Sequence, residues 1–540
     1  MSGGYLQLIA YGAQDMYLTN DPQITFFKII YRRHTNFSVE TYEHFLLDNP
    51  NFGKKCSMIL PRSGDLMTKM YLKVVVNSIC PLPHEKFAWV RNLGFALIHQ
   101  IQINIGGALI DRQYGTWLDI WYSLVTKEKP DETGLRKMIG DVEIMTGYNN
   151  KPKPQYTLFI PLQFWFNRYY GLALPMIALQ YHQVEIKLEF SKLESLIVTN
   201  SRFSQYNSPN IEEASFLIDY VYLEGTERKN FAMGGHEYLI EQVQFNNPES
   251  FASDNPKIRL TFNHPTKELI WAIKNGNYTK GKEFLCYTDK DNWKCEILQC
   301  SRKIIYESVI LSNDPPNFGI WQEFEPNSEG KSANKKIIVK NYSDKSLWIN
   351  TDSLLIDGYS LTNKIKAMVT VIDNKIIVTD VDTSINVRDI SIPVCDMTDT
   401  RIYRDDVKVV QFNNYGLWID GSINPIAFSM LEYNDQVRVN KRDGDFFNYL
   451  QPEMHHSNTP SDGINVYSFA LYPEDHQPSG STNFSKVEYI YLTLWLDDTT
   501  YISGLPKLDI LNCDSLIYVF ALNYNILRVS NGLAGLCYTD

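Results

Sequence analysis

The chain is poor in cysteine. Its 540 residues carry eight, Cys56, Cys80, Cys286, Cys295, Cys300, Cys395, Cys513 and Cys537, with no CxxC pair. So sparse a set excludes a disulfide-stapled scaffold and points to free thiols in a reducing compartment. The closest cluster, Cys286, Cys295 and Cys300, has spacings of nine and five. Zinc sites pair their ligands two to four residues apart, so no zinc site is expected there. A secretory leader is also lacking, because MSGGYLQLIAYGAQD has no charged segment followed by an apolar one. Met-Ser at the start does not meet the Met-Gly requirement for myristoylation. The most apolar long window, 159–179, is interrupted by Pro161, Gln163, Asn167, Arg168 and Pro175, which argues against a membrane span. Cationic excess is missing as well. Lys and Arg total 51 against 62 Asp and Glu, a net charge of −11 that disfavours coating nucleic acid. From these absences a soluble protein made in the cytoplasm is expected.

Motifs for catalysis are equally scarce. Gly276, Gly281 and Lys282 have phosphate-loop spacing, but Glu283 stands where Ser or Thr must hold magnesium. His236-Glu237 begins a metalloprotease pattern, yet position 240 is Ile rather than the second His. The adjacent pair His455-His456 would point to opposite faces of a strand, which favours hydrogen-bonded loop or interface residues over a metal or pH-responsive site. No GxSxG elbow and no GxGxxG loop occurs. No catalytic, cofactor-binding or metal residues are therefore assigned. Four sequons, at Asn36, Asn277, Asn341 and Asn483, read as chance occurrences without a secretory route.

What is present favours strands. Aromatic residues make up 13%, with 34 Tyr and 27 Phe. HQVEIKLEF (182–190) alternates apolar and charged residues, as does KIRLTF (257–262). IQINIGGALID (101–111) reads as a hairpin turning at Gly106-Gly107. Further strands are expected at 70–77, 214–224, 237–245, 335–340, 464–472, 487–496 and 516–523. Within WLDIWYSLV, Trp117, Leu118, Ile120, Trp121, Leu124 and Val125 share one face of a helix. The polar stretches 126–134, 149–155 and 474–483 read as solvated loops. Between about 276 and 425 the texture changes to short strands with turns at Asp357-Gly358 and Asp373-Asn374, a β-rich subdomain. Many short strands between Pro- and Gly-bearing loops argue for a sandwich or jelly roll. No internal repeat is visible.

The opening run GGYLQLIAYGAQDMYLTNDPQITFFKIIYRRHTNFSVE (3–40) resembles the N-terminus of the major capsid proteins of nucleocytoplasmic large DNA viruses. The resemblance continues in order through 61–74, 92–121, 158–186, 220–244, 262–272, 451–485 and 524–538. It implies an all-β double jelly roll, two eight-stranded β-sandwiches in tandem, with a β-rich insertion in the second and few short helices. By similarity, an N-terminal arm spans 1–25, the first jelly roll 26–228 and the second 229–540, linked near Glu227–Gly235. The insertion at about 276–425 departs from compact relatives and is expected to stand on the outer surface, facing a receptor, glycan or fibre. The arm is expected to face inward or to form the first strand.

The implied function is structural. Three chains form a pseudo-hexagonal capsomer, and capsomers tile an icosahedral shell in the virion. Partners are then the homotrimer, neighbouring capsomers, and minor capsid or inner-membrane-associated proteins, with no direct genome binding. Trimer contacts are expected in 158–181 and 451–485, with burial between the two rolls of one chain weighed equally. The rival is a carbohydrate-binding or carbohydrate-active β-sandwich, since jelly rolls also serve as lectins and hydrolase modules.

Overall fold

The computed structural model describes residues 3–274, apart from short stretches within 11–18, 83–86, 127–133, 147–150 and 200–207 and a few single positions. It further describes residues 285 and 287, several strands between 346 and 409, and residues 424–496 and 515–539. Eight strands build the first sandwich: β1 (Phe37–Phe45), β2 (Lys55–Ile59), β3 (Leu66–Val76), β4 (Ile98–Ile105), β5 (Ala108–Gln113), β6 (Tyr156–Pro161), β7 (Val184–Phe190) and β8 (Ile211–Leu223). They pair as β1-β8-β3-β6 and β2-β7-β4-β5, antiparallel throughout. The alternation in β7 does what its period predicts. Val184, Ile186, Leu188 and Phe190 are buried, while the intervening charged residues face outward.

The second sandwich repeats this order with β9 (His236–Ser250), β10 (Lys257–Leu260), β11 (Pro265–Lys274), β12 (Ile426–Tyr433), β13 (Gln436–Asp443), β14 (Asn465–Ser468), β15 (Ile490–Leu496) and β16 (Leu516–Ser530). Its sheets are β9-β16-β11-β14 and β10-β15-β12-β13. The chain is a double jelly roll. The insertion leaves after Lys274 and returns before Ile426, between β11 and β12. Within it, Lys366–Ile372 pairs with Lys375–Asp382 and Leu355–Ile356 with Tyr359–Ser360, on either side of the two expected turns. The strand expected at 335–340 lies outside the described residues.

Short connections fix which links share an end. In each roll the first three strands are joined by brief crossings between the sheets, so consecutive strands must reverse direction. One end, here the crown, therefore carries the links after β1, β3, β5 and β7 and their counterparts, including both roots of the insertion. The opposite end, the base, carries the 162–183 link of the first roll and the 469–489 link of the second. Tyr169 of one base link stacks on His476 of the other, which puts the two bases side by side.

Helices fill gaps rather than build layers. α1 (Gly115–Val125) buries Trp117, Leu118, Ile120, Trp121 and Leu124 as its spacing predicts, with Val125 half-buried. The expected link at 227–235 is a helix, α2 (Gly225–Met233), mostly exposed, with Glu227, Phe231 and Ala232 half-buried. A π-helical turn at Phe446–Leu450 leads into α3 (Gln451–His455). Two expectations change. The strand expected at 464–472 ends at Ser468, because Phe469 and Ala470 turn their amides onto the Lys267 carbonyl. The N-terminal residues do not form the first strand, which begins at Phe37. Gly3–Ile9 is instead a short exposed helix, and 21–29 and 31–36 are exposed with no strand partner among the described residues.

The β4–β5 hairpin turns where expected, with φ of 58° at Gly106 and 84° at Gly107, as a turn with two left-handed residues requires. A Cβ on Gly106 would stand 2.5 Å from the His182 ring, whereas one on Gly107 would meet nothing within 4 Å. Gly106→Ala should therefore lower thermal stability by about 1–3 kcal/mol, and Gly107→Ala by less. Equal losses in calorimetry would mean that contact with His182 is not part of the turn's design.

Candidate assembly site: the seam between the sandwiches

The residues that mimic catalytic motifs are not brought together. His236 Nε2 lies 2.9 Å from the Phe231 carbonyl oxygen and its ring stacks on Phe231, while Ile240 is buried in the core. Gly276 to Glu283, Cys286, Cys295, Cys300, Asn277 and Asn341 lie outside the described residues. Asn36 is exposed, and Asn483 Oδ1 accepts a hydrogen bond from the Ser485 amide at 3.1 Å. Among the described residues no group of three or more His, Cys, Asp or Glu side chains is placed to hold a metal ion.

Polar chemistry concentrates instead where the two sandwiches meet. β5 and α1 of the first roll pack against the outer face of β9-β16-β11-β14. One hydrophobic cluster runs through the joint, from Trp117 and Trp121 to Ile240, Val243, Ile270, Phe520 and Leu522. Rings step across it: Tyr114 to Phe245 at 4.7 Å, Phe245 to Phe520 at 4.6 Å and Phe520 to Trp117 at 5.5 Å. Such pairs add about 0.5–1.5 kcal/mol each beyond the area they bury. Hydrogen bonds set the register. The Val243 amide donates to Asp111 Oδ1 at 3.0 Å, Gln242 Nε2 to the Ile110 carbonyl, and Lys274 Nζ to Thr116 Oγ1 at 3.0 Å. Asn458 donates its amide to the Leu124 carbonyl and its Nδ2 to the Ser123 carbonyl, both at 2.9 Å.

An ion cluster sits at the lower part of this seam. Glu241 accepts from Arg168 Nη1 at 2.6 Å and from Lys267 Nζ. Arg168 also lies 4.3 Å from the centre of the Trp121 ring, whose edge meets His456. A register shift between Thr266 and Glu268 in β11 permits the neighbours Lys267 and Glu268 both to be buried. His456 faces Glu268 through Nε2 at 3.0 Å and Glu474 through Nδ1 at 3.1 Å. The two carboxylates flank the ring rather than converge on one point, so the trio is an ion-pair relay and not a metal cage. His455, its sequence neighbour, is half-buried and bonds the Leu471 carbonyl. Three cations, Arg168, Lys267 and protonated His456, balance three carboxylates, Glu241, Glu268 and Glu474. Only His456 was singled out from the sequence. The available signals were Arg168 inside the most apolar window and Lys267-Glu268 inside an otherwise apolar strand.

The titration of these groups follows from burial and pairing. Burial opposes charge on His456, but Glu268 and Glu474 outweigh it and hold its pKa up at about 9. Burial pushes Asp111 up to about 7 against its hydrogen bonds from Val243 and Gln113. Asp119, bonded by Tyr287 and Asn92, is pushed by burial to about 6. All three bind a proton more tightly folded than unfolded.

The equivalent flanks on the far sides of the two rolls are open. On the first roll, the outer face of β1-β8-β3-β6 shows Phe37, Val39 and Phe45 to solvent, with Glu43 and Glu213 gathered on Lys73. On the second, β13 is exposed at all but one position. Val437, Tyr449, Leu450 and Met454 stand exposed along β13 and the helical turn that follows, beside Arg438, Lys441 and Arg442. The expected contact segments are divided in the same way. In 158–181, Phe164, Trp165 and Phe166 are buried while Tyr169, Tyr170 and Tyr181 are exposed. In 451–485, Val466 and Phe484 are buried while Met454, Leu471 and Tyr472 are exposed.

A pH dependence follows. The His456 contribution, about 3 kcal/mol, is fully present below pH 6.5 and is lost as pH rises through about 9. Denaturant unfolding should thus show stability falling across that range. His456→Gln should be destabilised in acid and flatter with pH. An unchanged slope in the variant would exclude His456 as the titrating group.

Comparison with known proteins agrees with the two-sandwich architecture. The family description "Major capsid protein N-terminus" matches residues 25–224, and "Large eukaryotic DNA virus major capsid protein" matches residues 227–535. The chain is 39% identical to Capsid protein 1 of Acanthamoeba polyphaga mimivirus and 34% identical to the major capsid protein of Phaeocystis pouchetii virus, each alignment covering 100% of both chains. The PBCV-1 virus capsid structure superposes with a TM-score of 0.61 at 23% identity, over 96% of this chain and 100% of that one. The chain belongs to the major capsid proteins of large eukaryotic DNA viruses, and its role is structural.

Proposed function

We propose that three copies of this chain close into a pseudo-hexagonal capsomer and that capsomers tile the icosahedral outer shell of the virion. The observation that carries this reading is the asymmetry between equivalent flanks. Inside one chain, β5 and α1 of the first roll cover the outer face of the second roll's β9 sheet. The second roll carries the corresponding strand and helix, β13 and 446–455, with apolar side chains exposed and cations beside them. The first roll carries the corresponding sheet face, with apolar side chains exposed and carboxylates beside them. Repeating the seam between chains covers both. The contact joins two different flanks, so it generates a ring if the rotation closes, and six rolls are three chains.

The remaining assignments follow this geometry. We divide the chain into an arm (1–25), a first jelly roll (26–228) and a second (229–540) that contains the inserted subdomain at about 276–425. Rooted at the crown, that insertion projects outward as a tower, where a host-surface glycan or fibre contact would fall. The bases face inward, toward minor capsid and inner-membrane-associated proteins. With a net charge of −11, the chain needs no direct contact with the genome. We assign it no enzymatic activity, and we place its synthesis in the host cytoplasm or a viral factory.

The test is the solution mass of the full chain. The expected species is three times 62.5 kDa, persisting on dilution. Val39→Asp or Leu450→Asp should convert it to a 62.5 kDa chain, with unfolding stability changed by less than about 0.5 kcal/mol because both side chains are exposed. Trimers that survive both substitutions would reject these flanks. A wild-type chain that stays single and binds oligosaccharide would reject the shell reading.

A further inference from the structure

The N-terminal residues carry large apolar side chains that no described residue of their own chain covers. Phe26 is 90% exposed and Phe27 98%, and Ile24, Ile29 and Tyr31 are also open to solvent. Leaving five such groups in water is costly, at roughly 25 cal/mol per Å² of apolar surface. The same stretch is cationic. Lys28, Arg32 and Arg33 fall between Ile24 and Asn36 with no carboxylate among them, in a chain whose net charge is −11. The stretch enters β1 at Phe37, so it leaves the fold at the base, from the edge strand of the open first-roll flank.

A second uncovered patch occupies the same end. Tyr169, Tyr170, Leu471 and Tyr472 are exposed on the two base links, which the Tyr169–His476 stack holds together. Exposed carboxylates at the base of the second roll flank this patch: Asp435 in the β12–β13 turn, Asp475 in the base link, and Glu488 just before β15. One surface is apolar and cationic, the other apolar and anionic, and both lie at the base.

We infer that residues 24–33 of one copy dock on the base patch of the adjacent copy, latching the ring from below. The inference rests on the capsomer reading and names a contact beyond the flank-to-flank one. Ten residues in extended form reach roughly 33 Å, enough to cross from the flank of one roll to the base of the next. On the capsomer reading the arm's root is on the flank that faces the neighbour, so an arm running outward from it meets the neighbour's anionic apolar base.

Cross-linking of the full chain tests this. Co-expressed single variants Phe27→Cys and Leu471→Cys, treated with a short bismaleimide, should give a two-chain product whose mapped peptides join the two positions. Neither variant alone should give it. Phe26→Ser/Phe27→Ser should raise the trimer dissociation constant at least tenfold while the mass of the dissociated chain stays at 62.5 kDa. Trimers that form without the cross-link, or a cross-link found only within one chain, overturn the latch and leave the capsomer reading standing. So does an arm that gains protease protection only on anionic phospholipid vesicles. If the unmodified chain forms no trimer, the capsomer reading fails and the latch falls with it.

Discussion

A sheet in a two-layer sandwich hides one face against its partner and needs something else to cover the other. In β9-β16-β11-β14 both faces are apolar. β11 is buried at nine of its ten positions, and most of β16 is buried too. The second roll's own core takes Leu269, Trp271, Ile273, Val519 and Ala521. Ile270, Ala272, Phe520 and Leu522 alternate with these and must be covered from outside. The first roll provides that cover with β5 and α1. For this reason α1 is buried on so much of its surface, and the first roll's core continues into the joint. Neither roll as seen here has a complete exterior without the other.

An apolar joint alone would leave the relative placement of the rolls loosely specified, because greasy surfaces tolerate sliding. The buried ions restrict it. A buried salt bridge adds little to net stability once desolvation is counted, but losing one partner strands a charge and costs several kcal/mol. Arg168 of the first roll must therefore reach Glu241 of the second, whose side of the joint carries Lys267, Glu268, His456 and Glu474. The bulge in β11 is the device that turns Lys267 and Glu268 into this arrangement. His456 in turn begins the 456–461 stretch from which Asn458 bonds the end of α1.

Much of the fold was legible in the sequence because sandwich strands and a packed helix have strong periods. β7, the β4–β5 hairpin and α1 were read from alternation, a Gly-Gly turn and a helical face, and each forms there. Their residues answer to a local rule. The seam does not. Lys267-Glu268 departs from the strand period because of a bulge, and a bulge is set by what packs across it. Arg168 was visible only as an interruption in an apolar run, since its partner Glu241 lies 73 residues away. His455-His456 misled for the same reason. A strand rule assigns adjacent residues to opposite faces, but the pair sits at the end of α3, where one ring bonds the Leu471 carbonyl and the other enters the ion cluster. α2 was missed because little of it is buried: Phe231 and Ala232 offer too few apolar contacts to make a detectable stripe.

The two rolls share one strand order, yet no repeat was visible along the chain. The structure explains why. β1 reads FSVETYEHF and faces solvent along most of its length, whereas its counterpart β9 reads HEYLIEQVQFNNPES and buries Ile240 to Val243 under the first roll. β5 reads ALIDRQ and is half covered, whereas β13 reads QVRVNKRD and is open. Equivalent strands have diverged where their surroundings differ, and the differences are greatest on the flanks. One contact of this kind is closed inside the chain and the equivalent flanks are open, with carboxylates on the open β1 face and cations on open β13. The equivalent flanks that stay open are also where the two halves of the chain diverge most, which is why its sequence does not visibly repeat.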